Sequence, residues 1–292
     1  MKKKSVFMLI AIFCVVAFIG FILFLVALGA MGSNMSTQPI AVVKIEGPIF
    51  ESLPILKELE ELKNDYRVKA VVLRLNSPGG AVAPSQEIMA HVLKLKKHKK
   101  VIVSMGTVAA SGAYYIASAA DKIVASSGTI TGSIGVILET FGLQKLAQKL
   151  EVEPRVVKSG KFKDVGNPFK TLSDSDRQYL QNITDDMYNQ FVSSVAENRG
   201  LPIEKVKVLA QGIIYTGLQA KNVGLVDELG NIYDAIDLAK KEAGLPANTK
   251  VKWPKEPTGL EKFFGHEARS VLSSLLQVDF GMKFIPMWLL RM

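Results

Sequence analysis

Ser111 stands in Thr107-Val108-Ala109-Ala110-Ser111-Gly112-Ala113-Tyr114-Tyr115, where a short apolar strand, Val101-Ile102-Val103-Ser104-Met105, gives way to small, helix-prone residues as far as Ala120. A serine on a sharp strand-to-helix turn is presented as a nucleophile. The Gly112 amide beside it, at the helix start, has no intrahelical partner and can face a developing oxyanion. The plainer alternative is a helix cap, a role serine often takes before an alanine-rich run. A second chemical element lies downstream in Val156-Val157-Lys158-Ser159-Gly160-Lys161-Phe162-Lys163-Asp164-Val165-Gly166, where β-branched residues lead into a lysine-rich turn. None of the three histidines is a convincing base: His91 and His98 belong to a basic amphipathic helix, and His266 to a tail rich in charged and aromatic residues. A Ser-His-Asp triad is thus poorly supported, and lysine is the natural replacement.

Such a lysine has to be desolvated. Moving an ammonium down about three units from its reference value near 10.4 costs roughly 4 kcal/mol, which burial away from carboxylates supplies. Spacing leaves the choice of lysine open, because in an extended segment Lys161 and Lys163 point the same way and Asp164 points the other. Two further motifs flank these elements. The apolar strand Ala70-Val71-Val72-Leu73-Arg74-Leu75 runs into Asn76-Ser77-Pro78-Gly79-Gly80, and Thr131-Gly132-Ser133-Ile134-Gly135-Val136 follows the serine motif. A Pro-Gly-Gly turn at a strand's carboxyl end can leave backbone amides free for a ligand, although Pro-Gly is also an ordinary turn dipeptide.

These four motifs, in this order, resemble the signal peptide peptidase A family (peptidase family S49), membrane-anchored serine proteases with a Ser/Lys dyad, in its short single-repeat form. The resemblance covers about residues 40 to 245. It implies that Ser111 is the nucleophile and Lys163 the general base, with Lys158 and Lys161 structural. It further implies that the Gly80 and Gly112 amides form the oxyanion hole and that the Ser133 hydroxyl accepts a hydrogen bond from the lysine. The expected fold is α/β, ClpP/crotonase-like, a spiral of ββα units. The expected assembly is a ring or dome-like homo-oligomer in which the lysine of one subunit completes the serine site of its neighbour. Neither a cofactor nor a metal is expected. Ala113 stands where many relatives carry glycine, and Ala81 follows the glycine pair; both are small enough to leave the amides in place.

The elements that must position these residues alternate. Strands are expected at 41–45, 71–75, 101–105, 122–125, 134–138 and 154–158. Helices are expected at 53–64, 85–97, 111–119 and 142–150, with a long amphipathic one at 173–198 opened by Asp174 and Asp176 and closed by Arg199-Gly200. This βα order argues for an α/β layered fold with mainly parallel strands.

The 292 residues leave room for one core of ordinary size. Residues 1–5 read as a basic cytoplasmic flank with Lys2, Lys3 and Lys4, and 6–31 as a transmembrane anchor of about 26 apolar, uncharged residues. Residues 32–39 read as a linker, 40–258 as the protease domain, and 259–292 as an amphipathic tail. A cleaved signal peptide fits less well, since its apolar region is usually about 7 to 15 residues. The expected location is therefore the bacterial cytoplasmic membrane, single-pass, with the catalytic domain outside. Cys14, the only cysteine, falls within the apolar run, which excludes disulfides and a cysteine nucleophile from the remainder. The net charge of +9 owes much to Lys94, Lys96, Lys97, Lys99 and Lys100 at one helix end. That cluster reads as a solvated face or one drawn to anionic lipid; with no interleaved aromatics, nucleic acid is not an expected partner.

The tail carries Phe263, Phe264, Phe280, Phe284 and Trp288. It can dock on a neighbouring subunit, lie on the membrane, enter a substrate groove or simply pack on the core. The favoured function is an endopeptidase that degrades remnant signal peptides and other hydrophobic membrane-derived peptides through an acyl-enzyme. An acyl-CoA enzyme of the crotonase type and a non-catalytic scaffold are the alternatives.

Overall fold

The computed structural model describes residues 13, 15–24, 38–254 and 287–289. The chain divides into two units, residues 1–38 and 39–292. Of the first, residues 13 and 15–24 are helical and exposed. Among the described residues no helix is long and apolar enough to cross a membrane, and the rest of the expected anchor lies outside them.

In the second unit, β-branched and aliphatic runs form β1 (Ile40–Glu46) and, after helix α1 (Leu53–Asn64), β2 (Ala70–Ser77). A three-residue strand β3 (Gly79–Ala81) leads into α2 (Val82–Lys96), the long β4 (Lys100–Ala110) and the short helix α3 (Gly112–Ser118). There follow β5 (Lys122–Ala125), β6 (Ile130–Gly132), α4 (Gln144–Lys149) and α5 (Asp174–Arg199). The chain continues through α6 (Ile203–Leu209), β7 (Ile214–Thr216), α7 (Gly217–Val223), β8 (Glu228–Leu229), α8 (Ile232–Glu242) and β9 (Val251–Lys252). From the tail, β10 (Met287–Leu289) is described.

The main sheet has eight strands in the order β7-β6-β4-β2-β1-β9, with β5 and then β8 branching from β4. All its pairings are parallel except β6 with β7. Successive side chains on a strand point to opposite faces, and the two hydrophobic clusters show it. Val71, Leu73 and Leu75 join Val101, Val103 and Met105 in the larger cluster, whereas Ala70 and Val72 join Ile102 and residues of α8 in the smaller. The sheet is thus covered on both faces, as parallel sheets require. This mixed-sheet α/β architecture is consistent with the ClpP/crotonase fold.

Two expected strands are absent. Residues 134–138 hold only a bridge residue at Ile137, and 154–158 have no strand: Val157 is fully exposed and Val156 is half exposed. The helix expected at 142–150 is trimmed to α4. Lys99 departs from the expected solvated face, for it is buried and its Nζ donates to the carbonyls of Asp65 (2.5 Å) and Val68 (2.7 Å). That burial pushes its pKa down.

Candidate active site

Ser111 occupies the single residue between β4 and α3, with φ 53° and ψ −120°. Left-handed φ is unusual for a serine and costs about 1–3 kcal/mol, so the surroundings must impose it. The Ser111 amide donates to the Gly132 carbonyl (2.8 Å), and the Tyr115 amide donates to the Ser111 carbonyl (2.8 Å). Thr131 Oγ1 donates to the Ala109 carbonyl (2.7 Å), tying β6 to the last turn of strand before the elbow. All seven residues of α3 are buried. Tyr114 donates its hydroxyl to the Leu225 carbonyl (3.0 Å), and Tyr115 sits edge-on against Phe191 with its hydroxyl 3.0 Å from Ser194 Oγ. Ala113 is wholly buried, so a small residue is what the packing there accepts.

The side chain thus held is 1% exposed, and its Oγ has no hydrogen-bond partner among the described residues. Nothing caps the helix through it: α3 has no side-chain cap bond. A buried hydroxyl usually finds a partner, so an unpartnered one calls for an explanation.

Gly79 and Gly80 of the expected Pro-Gly-Gly turn instead belong to the strand β3. The Ile49 amide donates to the Gly79 carbonyl and the Ala81 amide to the Ile49 carbonyl, each at 2.8 Å. A Cβ on Gly80 would lie 2.1 Å from the Ile49 oxygen, so close backbone approach requires glycine there. Because backbone groups alternate along a strand, the Gly80 N–H and C=O point away from Ile49, toward the other edge. That edge is where β10 pairs antiparallel, with Trp288 opposite Gly80. The described strand of the tail therefore packs against β3 of the same chain.

Ser133 lies one residue beyond the Gly132 carbonyl that holds the Ser111 amide. It also has left-handed φ, 49°, is 9% exposed, and its amide donates to the Ile213 carbonyl (2.8 Å). Lys163 sits in a run of turns, not in an extended segment, so the alternation expected of Lys161, Lys163 and Asp164 does not hold. The turns sort the lysines instead. Lys158 Nζ donates to the Lys161 carbonyl (2.9 Å) and pairs closely with Asp164. Lys170 bridges Asp164 (3.3 Å) and Asp176 (2.8 Å). Lys161 Nζ lies 5.0 Å from the Phe162 ring centroid, and that ring stacks on Tyr179 of α5 at 4.7 Å.

Among the described residues Lys163 Nζ makes no hydrogen bond or ion pair, and the residue is exposed. With Ser111 Oγ unpartnered, no Ser111–Lys163 hydrogen bond exists within one chain. The Lys158–Asp164–Lys170–Asp176 network went unread in the sequence; the acidic partners at 164 and 176 were its signal. Among the described residues no group of three or more His, Cys, Asp or Glu is placed to hold a metal ion.

A serine on a clamped elbow at the carboxyl ends of parallel strands is an arrangement suited to a serine hydrolase, and the Clp protease family model matches residues 41–129. The Peptidase family S49 model matches residues 93–246. The chain belongs to peptidase family S49, as a serine protease whose one protease domain covers most of its length. It is 44% identical over 211 residues to "Putative protease slr0021" of Synechocystis sp., covering 70% of this chain and 75% of that one. It is 39% identical over 205 residues to "Putative signal peptide peptidase SppA" of Enterococcus faecium, covering 70% and 60%. It is 33% identical over 220 residues to "Serine protease SPPA, chloroplastic" of Arabidopsis thaliana, covering 72% and 32%.

Proposed function

We propose that this protease is a single-pass membrane protein, anchored by residues 6–31 with residues 40–258 outside the cytoplasmic membrane, and that it degrades remnant signal peptides and other hydrophobic membrane-derived peptides. Ser111 Oγ attacks the peptide carbonyl while Lys163 Nζ takes its proton, and the lysine later returns that proton to the leaving amine. Water then hydrolyses the acyl-enzyme. The amides of Gly80 and Gly112 receive the oxyanion, and the Ser133 hydroxyl orients the lysine.

The orphaned, buried Ser111 Oγ carries this reading. In the isolated chain Lys163 is exposed and apart from Ser111, which favours a dyad completed by a second copy of the chain. Contact with that copy is also what desolvates the ammonium. The exposed apolar side chains Phe141, Leu146, Leu150, Val152, Val156 and Val157, along the arm that leads to Lys163, supply surface for such a contact. The anchor reading rests on the uncharged run after Lys2–Lys4. The substrate class is supported by the printed name of the Enterococcus relative.

The test is to incubate the full chain in detergent with a synthetic signal peptide and with a soluble hydrophilic peptide, reading products by mass spectrometry. Cleavage of the first, absent in Ser111→Ala, is expected. Cleavage of both at equal rates would refute the substrate class while leaving the protease standing.

A further inference from the structure

The end of the sheet opposite Ser111 is strongly basic. The parallel strands start level there: Ile40 pairs with Ala70 and with Val251, Ala70 with Lys100, and Ile102 with Lys122. Helices α1, α2 and α8 finish at the same end. The segments that compose it, residues 63–69, 94–100, 121–122, 240–242 and 250–252, hold 13 Lys and Arg against 3 Asp and Glu. Carboxylates from just outside these segments also reach in, Glu60 pairing with Lys63 (2.7 Å), Asp227 with Lys122 (3.7 Å) and Asp237 with Lys240 (2.9 Å), and the end remains basic after they are counted.

The three acidic residues are already engaged. Asp65 holds Arg67 (2.8 Å), Asp121 faces Lys96 (3.9 Å) and Glu242 faces Lys100 (3.8 Å). Lys69, Lys94, Lys97 and Lys250 are exposed and make no ion pair among the described residues. The buried Lys99 pins the turn that presents Tyr66, which is 76% exposed between these lysines.

β1 begins at this end, and residues 32–39 join it to the apolar run, a reach of at most about 29 Å for eight residues. β4 spans 11 residues from Lys100 to Ala110, so Ser111 stands roughly 35 Å away, at the far end of the sheet.

We propose that this basic end is a lipid-binding face that rests on anionic headgroups and holds the catalytic elbow away from the bilayer surface. The inference rests on the anchored reading above. Unpaired lysines are point charges suited to a diffuse anionic surface, and an exposed tyrosine among them suits the headgroup layer. The face has no ladder of stacked aromatics of the kind that binds nucleic acid.

The experiment places the full chain in nanodiscs of phosphatidylcholine alone or with phosphatidylglycerol and labels amines briefly with an acylating reagent, read by peptide mass spectrometry. Labelling of Lys69, Lys97 and Lys250 is expected to fall several-fold in the anionic discs and to recover at high salt, with Lys145 and Lys149 unchanged as internal references. Equal labelling in both discs, with the chain co-eluting with lipid, would overturn the lipid face and leave the anchor intact. A chain that elutes free of lipid would overturn both. Protection by short duplex DNA added to phosphatidylcholine discs, exceeding that by anionic lipid, would overturn the proposal in favour of nucleic acid.

Discussion

The Ser111 amide donates to the Gly132 carbonyl at 2.8 Å, and both residues hold left-handed φ, 53° and 76°. The Ser111 elbow is therefore clamped by a second turn, one whose positive φ glycine adopts freely. At Gly132 a Cβ would meet the Tyr215 ring at 2.6 Å and the Ile213 oxygen at 3.0 Å. Gly132→Ala is expected to cost about 1–3 kcal/mol and to cut Ser111 reactivity by more than its effect on folding. Thermal unfolding and probe labelling on one sample measure the two effects, and unchanged labelling would show that the clamp is dispensable.

The Gly80 backbone faces Trp288 of the tail strand. An extended peptide added to that edge of β3 competes for the same backbone groups, so removal of residues 259–292 is expected to raise peptide cleavage and probe labelling several-fold. Cleavage rates of the truncated and full chains check this. A drop in rate, with folding retained, would mean that the tail supports the groove rather than covering it.

The lysine loop is joined to α5 by carboxylates whose pKa values lie below the ordinary 3.8, Asp176 chiefly through the Lys170 hydrogen bond and Asp164 chiefly through that of Lys158. A carboxyl depressed in the folded state contributes stability that is fully present above its unfolded value and is lost as pH falls through its folded value. The Tm difference between wild type and Asp176→Asn is therefore expected to be constant from neutral pH down to about 5 and to vanish on acidification below 3.8. A difference that persists at the acid end would show that the pairing does not hold the loop.

A dyad shared between copies makes a stoichiometric prediction. Ser111→Ala and Lys163→Ala chains, each inactive alone, are expected on co-assembly in equal amounts to recover about a quarter of wild-type labelling, because only one neighbour pairing in four unites an intact serine with an intact lysine. No recovery in a mixed assembly would place both residues of the dyad in one chain.

The elements that built themselves locally were legible in the sequence. α1 and β5 fall at 53–64 and 122–125 as expected, and Ser173 and Asp176 form the capping box that opens α5. Failure came where the pattern lacked a partner. Val156 and Val157 have strand-forming shapes, but β-propensity records packing on a pleated surface, and among the described residues no strand pairs with them. Ser111 was legible from its small neighbours, whereas its clamp by Gly132 depends on a β4–β6 pairing that no local pattern encodes. The pairing of β10 with β3 joins segments some two hundred residues apart, beyond the reach of any periodicity. Spacing alone did not separate Lys163 from Lys161; only the resemblance to the family motif did, and the structure adds that Lys161 lies over Phe162.

Covalent labelling of the full chain by a fluorophosphonate probe, located by peptide mass spectrometry, in wild type, Ser111→Ala and Lys163→Ala reports directly on whether Lys163 activates Ser111. A label on Ser111 is expected in wild type and none in either variant. A folded, assembled wild type that takes no label, or a label on Ser111 that survives Lys163→Ala, would contradict it.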